Sequence, residues 1–99
     1  MYVIREIMQC KPGKVRELVK RFSTLSGLLQ KMGYKPFRIS TDVSGEPFWT
    51  VEAETQTESI DAFFEMENKV MANEDAQRIM AGYHDLVQSG RREIYRLES

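Results

Sequence analysis

Residues 35 to 55 have the sequence KPFRISTDVSGEPFWTVEAET, which is typical of a β-hairpin. Between Lys35 and Val43, apolar and β-branched residues alternate with polar ones, with the period of two that a half-buried strand shows. Ser44-Gly45-Glu46-Pro47 is a turn signal, and the alternation resumes from Phe48 to Thr55. The segment therefore predicts two antiparallel strands, 35–43 and 48–55.

A strand and a long helix precede this hairpin. Residues 2–10, YVIREIMQC, are rich in β-branched and aromatic side chains and end at the turn residues Lys11-Pro12-Gly13. Apolar residues then recur at three- and four-residue spacing over residues 14–32, which indicates one amphipathic helix. Gly33 follows as the expected helix stop.

Two further helices and a strand follow the hairpin. Thr57 is the predicted N-cap of the second helix, and Asn73, followed by two acidic residues, is the predicted N-cap of the third. We expect Gly90 to end the third helix and residues 91–97 to form the last strand. The order β-α-β-β-α-α-β predicts one α+β domain, residues 1–99, of the ferredoxin-like type, with a four-stranded antiparallel sheet and helices on one face.

Composition and charge exclude several classes of protein. The 99 residues carry 14 Lys+Arg and 15 Asp+Glu, a net charge of −1, and 41% are hydrophobic, so we expect neither a disordered chain nor a nucleic-acid partner. The charge is uneven: residues 46–75 carry one basic and nine acidic groups. This acidic segment is interpreted as a solvated face, or as a surface complementary to a second copy or to a basic partner.

One cysteine and one histidine limit the chemistry. Cys10 has no partner for a disulfide, and Cys10 with His84 cannot complete a tetrahedral zinc site, so we predict no metal. No nucleotide-binding or hydrolase motif occurs either, and we predict no cofactor. No apolar run reaches a membrane span and the first residues lack a signal-peptide pattern, so a cytoplasmic location is expected. Cys10 is interpreted as a small buried hydrophobe, or as a redox-sensitive thiol with a depressed pKa beside Lys11.

One face of the predicted sheet has no helix to cover it. Aromatic or aliphatic residues alternate with charged ones in the strands, so we expect this face to expose an apolar patch and two copies to pack sheet against sheet as a homodimer. Charged residues inside the strand patterns are predicted to form an ion-pair network or, if they face the interior, to bind a ligand: Arg5, Arg38, Asp42, Glu52 and Glu54.

Three stretches carry a resemblance to a known superfamily: the first strand running into Lys11-Pro12-Gly13-Lys14, the segment WTVEAETQTES from Trp49, and GRREIYRLE from Gly90. On these the chain resembles the dimeric α/β-barrel superfamily, most nearly its NIPSNAP-like and antibiotic-biosynthesis-monooxygenase-like (ABM-like) small proteins. The resemblance implies a homodimer that holds small ligands between sheet and helices, and in some members an oxygenase without metal or flavin.

Five residues are the candidate ligand-binding set: Tyr34, Arg38, Trp49, Tyr83 and His84. The first hypothesis is a binding module for a small apolar or aromatic molecule. The alternative is a cofactor-independent monooxygenase that uses Trp49, Arg38 and His84 around a phenolic or polyketide-like substrate. A third possibility is a protein-interaction role of the acidic segment. For His84 and the strand aromatics, packing at the edge of the core is the competing interpretation.

Overall fold

The computed structural model describes residues 1–45 and 47–99. In this part of the chain, one antiparallel sheet of order β2-β3-β1-β4 is covered on one face by helices. The elements are β1 (Tyr2–Cys10), α1 (Val15–Lys31), β2 (Arg38–Thr41), β3 (Thr50–Thr57), α2 (Ile60–Met71), α3 (Glu74–Ile79), α4 (Tyr83–Leu86) and β4 (Val87–Arg96). The predicted α+β class, with four antiparallel strands and helices on one face, is confirmed.

The register of the central strand β1 decides which residues face the helices. Met8 lies opposite Val51 of β3 and Gly90 of β4, and both Met8 and Val51 are buried in the core. Because side chains alternate along a strand, Glu6 of β1 and its partner Arg92 of β4 lie on the same helix-covered face. The residues at the alternate positions of each strand face the opposite side of the sheet, here called the open face.

The amphipathic pattern of α1 buries one stripe of this helix on the sheet. Leu18, Phe22, Leu25 and Leu29 are all buried. The helix ends where expected, because Gly33 takes φ 91, a left-handed conformation that costs glycine little, and its N–H donates to the Gln30 carbonyl at 3.0 Å.

The predicted strand bounds and one cap need correction. The hairpin strands are shorter or shifted, 38–41 and 50–57 instead of 35–43 and 48–55. Thr57 is the last residue of β3, paired with Tyr2, because a β-branched residue suits the continuing ladder. The N-cap of α2 is Ser59, whose hydroxyl accepts a hydrogen bond from the Ala62 N–H at 3.0 Å.

The predicted third helix is also different. Its start is confirmed, since Asn73 Oδ1 accepts from the N–H groups of Asp75 and Ala76 at 2.8 and 3.1 Å. It breaks at Gly82, whose φ of 81 separates α3 from α4. Gly90 does not end a helix: it lies inside β4, because its backbone pairs with Met8 in the sheet.

The open face carries an ion-pair network. Arg5 donates to Glu52 at 2.7 and 2.8 Å and to Glu93 at 3.2 Å, and its guanidinium lies 3.9 Å from Glu54. The hydrogen bond from Arg5 holds the pKa of Glu52 below its ordinary value. The prediction of a network is thus confirmed for Arg5, Glu52 and Glu54, while Asp42 instead accepts from the Thr50 N–H at 2.7 Å.

The expected apolar patch on the open face is only partly present. Tyr95 lies on this face and is 54% exposed, but Ile94 lies on the helix-covered face of the sheet. Phe48 and Trp49 lie in the loop before β3 and outside the sheet. Charged residues paired with one another therefore occupy much of the surface that the sequence predicted to be apolar.

The structure also tests the interpretation of the single thiol and the expectation that no segment spans a membrane. Cys10 is buried, and burial together with the charge of Asp42 raises its pKa, so the depressed pKa considered for a redox-sensitive thiol is wrong. No helix within residues 1–45 and 47–99 combines the length and apolar character that crossing a bilayer requires.

Candidate functional site

A cleft of about 500 Å³ lies between the sheet and the helices. Its floor is formed by Met8 of β1 and its walls by all four helices and Phe37, which precedes β2. Phe22 is at the centre of an aromatic wall: its ring centroid lies 6.0 Å from that of Phe37 and 6.4 Å from that of Tyr83, both in edge-on geometry. Phe22 contributes to this wall because its position in the helical spacing of α1 turns its side chain toward the sheet.

Four of the six methionines line the same cleft: Met8, Met66, Met71 and Met80. Methionine is unbranched and polarisable, so it adapts to irregular apolar shapes and contacts aromatic rings favourably. Met71 is 66% exposed, which places it where the cleft meets solvent. The cleft is therefore an apolar surface of adjustable shape rather than a set of rigid polar contacts.

One charged group of residues interrupts this apolar lining. The Arg92 guanidinium donates to Glu6 through Nε and to Glu67 through Nη2, and its Nη1 lies 3.5 Å from the second Glu67 oxygen. We call Glu6, Glu67 and Arg92 the carboxylate–arginine cluster. The side chains are 24%, 28% and 31% exposed, respectively, so all three are partly shielded from water and remain reachable from the cleft.

Aromatic rings hold the arginine of this cluster in place. The Arg92 guanidinium carbon lies 5.1 Å from the centroid of the Phe63 ring and 5.8 Å from that of Phe64. Both distances are within the range of a cation–π contact. Arg92 is thus held by two carboxylates and two rings, at the edge strand that closes one side of the cleft.

Burial changes the proton affinity of two groups in the cleft. Desolvation raises the pKa of Glu6 above its ordinary value, although the hydrogen bond from Arg92 acts in the opposite direction. Desolvation, with smaller effects from the charges of Glu6 and Cys10, raises the pKa of Tyr83. The cleft therefore has a carboxylate with increased proton affinity and a phenol that keeps its proton, and both can hydrogen-bond to a ligand.

The structure brings together only two of the five candidate ligand-binding residues. Tyr83 and His84 line the cleft, with their ring centroids 5.4 Å apart. Tyr34 packs against the core without lining the cleft. Arg38 is exposed on the open face, because it pairs with Glu54 in the register of β2 and β3. The ligand-binding roles themselves remain predictions.

Trp49 lies in the loop that leads into β3 and does not line the cleft. Its φ of 60 is left-handed, which is uncommon for a bulky residue, and its carbonyl accepts from the Cys10 N–H at 2.8 Å. Trp49, Arg38 and His84 line three different cavities. The predicted arrangement of these three around one substrate is therefore wrong within one chain.

The sequence interpretation missed the carboxylate–arginine cluster. It singled out Arg5 but not Glu6, although Glu6 shares the parity of the apolar Ile4 and Met8 in β1. A charged residue at a position of buried parity was the available signal. Its partner Arg92 is 86 positions away in the chain, so no local pattern indicates the pair.

Within residues 1–45 and 47–99, no cluster of three or more His, Cys, Asp or Glu side chains is positioned to hold a metal ion.

Comparison with known proteins identifies the fold. No family model matches the chain, and no curated protein matches it. Among solved structures, it is similar to a NIPSNAP domain protein from Burkholderia xenovorans, with a TM-score of 0.82 and 17% identity over 100% of this chain and 96% of that one. A NIPSNAP family protein from Agrobacterium tumefaciens gives 0.82 at 19% identity, covering 96% and 90%. The chain has the NIPSNAP fold.

The second predicted resemblance is also present among the solved structures. A putative antibiotic biosynthesis monooxygenase from Deinococcus radiodurans matches with a TM-score of 0.71 at 10% identity, over 100% of this chain and 94% of that one. The predicted resemblance to NIPSNAP-like and ABM-like proteins is confirmed at the level of the fold. In this chain, the cleft lies between the sheet and the helices of the NIPSNAP fold.

Proposed function

We propose that this protein binds a small molecule with an apolar or aromatic body in the cleft between sheet and helices. The observation that carries the proposal is the cleft itself, about 500 Å³ with aromatic and methionine walls around one charged cluster. Ligand sites are commonly apolar cavities of roughly 300–1,000 Å³ with a few placed polar groups. The size of the cleft, its apolar lining and its few polar groups all fit that description.

The methionines provide direct reporters of binding. With methyl-labelled methionine, we expect the neutral aromatic probe N-phenyl-1-naphthylamine to shift the NMR signals of Met8, Met66, Met71 and Met80, which line the cleft. The signals of Met1 and Met32, which do not line it, should remain in place. Ring currents and contact with the probe are the physical cause of the shifts.

A pair of matched variants tests the location. Met80→Trp adds a bulky ring to the cleft wall and should weaken probe binding by about tenfold, since the ring occupies volume that the probe needs. Val43→Trp adds the same ring at a position that is 99% exposed and outside the cleft, and should leave affinity unchanged. Uniform shifts of all six methionines, or equal effects of the two variants, would contradict the proposal.

The oxygenase hypothesis is the weaker of the two. It placed Trp49, Arg38 and His84 around one phenolic or polyketide-like substrate, and these residues line separate cavities. Ligand binding without metal or cofactor is therefore the proposed function. The single cysteine favours a reducing compartment, and the cytoplasm stays the predicted location.

We further propose a homodimer that pairs the open faces of two sheets. No helix of the described residues covers the open face, which carries Tyr95 beside the Arg5 network. Two-fold packing of such a face places each charged group against the same face of the partner, where complementary pairs can form.

The mass in solution tests this assembly. At micromolar concentration, light scattering should give about twice the 11.5 kDa of one chain. Tyr95→Asp should shift the mass toward one chain, because it places a charge on the proposed interface. Met71→Asp, an equally polar change on α2 across the sheet, should leave the mass at the dimer value. A mass near one chain for the unmodified protein would rule the dimer out.

A further inference from the structure

We propose that the ligand of the cleft is a small organic cation, with an apolar body against the aromatic wall and one protonated amine beside Glu6. This inference rests on the proposed function, since it specifies the head group of the molecule that the cleft would bind.

Charge complementarity is the first argument. The titratable side chains that line the cleft are Glu6, Glu67, Tyr83, His84 and Arg92. Two carboxylates against one guanidinium leave one acidic group in excess among largely apolar walls. A protonated amine would neutralise this charge, whereas an anionic ligand would add a second uncompensated negative charge in a partly desolvated site.

A free acceptor atom is the second argument. Arg92 donates to Glu6 Oε1, and both oxygens of Glu67 contact the same guanidinium. Within the described part of the chain, Glu6 Oε2 is the one carboxylate oxygen of the cluster without a protein hydrogen-bond donor. Glu6 lines the cleft and its side chain is 24% exposed, so a ligand donor can reach it.

The surroundings of Glu6 favour a cation over a neutral donor. The rings of Phe22, Phe37 and Tyr83 form one wall of the same cleft, and aromatic faces attract cations. An ammonium group placed against these rings would supply the positive charge that the two carboxylates and one guanidinium of the cluster lack.

Three ligands with one shared body test the head group. We would measure binding of 4-phenylbutylamine, 4-phenylbutan-1-ol and 5-phenylpentanoate by calorimetry on the full chain at about pH 8. The amine should bind about tenfold tighter than the alcohol, and the carboxylate should bind most weakly, because a charge-assisted hydrogen bond to Glu6 forms only with the amine.

Two charge-matched variants locate the effect. Glu6→Gln should reduce amine affinity about tenfold, to the level of the alcohol, and leave alcohol affinity unchanged. Glu17→Gln removes the same charge from an exposed position on α1 and should preserve the preference for the amine. Should Glu6→Gln fail to fold, Glu67→Gln is the second variant, because it removes the same negative charge from the cluster, and it should reduce the preference as well.

The outcomes separate the two proposals. If the alcohol binds as tightly as the amine, or if Glu6→Gln and Glu17→Gln have equal effects, the cation inference is overturned while ligand binding stands. If the carboxylate binds most tightly, the inference is overturned in favour of an anionic ligand. If none of the three ligands binds, both proposals fail.

Discussion

Leu18→Ala is expected to lower the free energy of unfolding by about 3–4 kcal/mol, the largest effect of a single substitution that we predict, because deletion of a fully buried leucine leaves a closed cavity. Leu18 has 0% exposure and does not line the cleft, so the vacated volume has no opening to solvent. For a domain of this size, such a loss is a large part of the total stability.

Leu29→Ala is the matched comparison. Leu29 comes from the same helix and is 1% exposed, but it lines the cleft. Its removal enlarges a space that already exists, so we expect a smaller loss of about 2–3 kcal/mol. Urea unfolding at one fixed protein concentration measures both values, with unchanged m-values as the check on two-state behaviour. Equal losses, or a larger loss for Leu29, would argue against a cleft that is open on that side.

Arg92→Met should have the largest effect among substitutions of charged residues. The substitution keeps an apolar stem over Phe63 but leaves the Glu6 and Glu67 carboxylates without their counter-charge. Their side chains are 24% and 28% exposed, so water stabilises the two unpaired carboxylates only in part. At about pH 8, we expect the variant to be less stable than the unmodified protein by about 2 kcal/mol.

The pH dependence of this loss follows from the direction of the Glu6 shift. Its folded-state pKa is raised, so the folded protein binds the proton more tightly than the unfolded chain does, and stability falls as pH rises from the ordinary pKa through the folded value. Arg92 lowers that pKa, so its removal raises it further and widens this window. The difference between variant and unmodified protein should therefore be largest at about pH 8 and shrink toward about pH 5.

A double variant provides the control. In Glu6→Gln/Arg92→Met, the Glu6 carboxyl is absent, so the part of the pH-dependent loss that comes from Glu6 should disappear and stability at about pH 8 should partly recover. Urea midpoints across this pH range for the three proteins give the measurement. A loss from Arg92→Met that is the same at every pH would mean that Arg92 acts by packing alone.

The helices show which features of the fold a local sequence pattern can predict. The spacing of apolar residues predicts α1 almost to the residue, and the Asn73 cap of α3 is present with both hydrogen bonds. These features depend on neighbours three or four positions away, so the sequence contains them directly. Thr57 and Gly90 were misplaced because each is held in the sheet by pairing with β1, and that pairing is invisible to a local pattern.

The candidate site shows what residue type alone cannot predict, namely which side chains line the same cavity. His84 and Tyr83 were identified from residue type, and both line the cleft. Arg38 and Trp49 were chosen by the same criterion but lie on the open face and in a loop. Residue type indicates what a side chain can do, whereas strand parity and loop geometry decide which cavity it reaches.

The sequence determined the four strands, the first two helices and the start of the third, with their order and the fold class, because helix and strand periodicity are properties of adjacent residues. Only the tertiary structure decided which parity of β1 faces the helices. That choice brings Glu6 to Arg92, 86 positions away, and turns it toward the cleft while Arg5 faces the open side. A one-residue change of register would exchange these two charges, and the energy that fixes the register comes from packing the whole sheet against the helices.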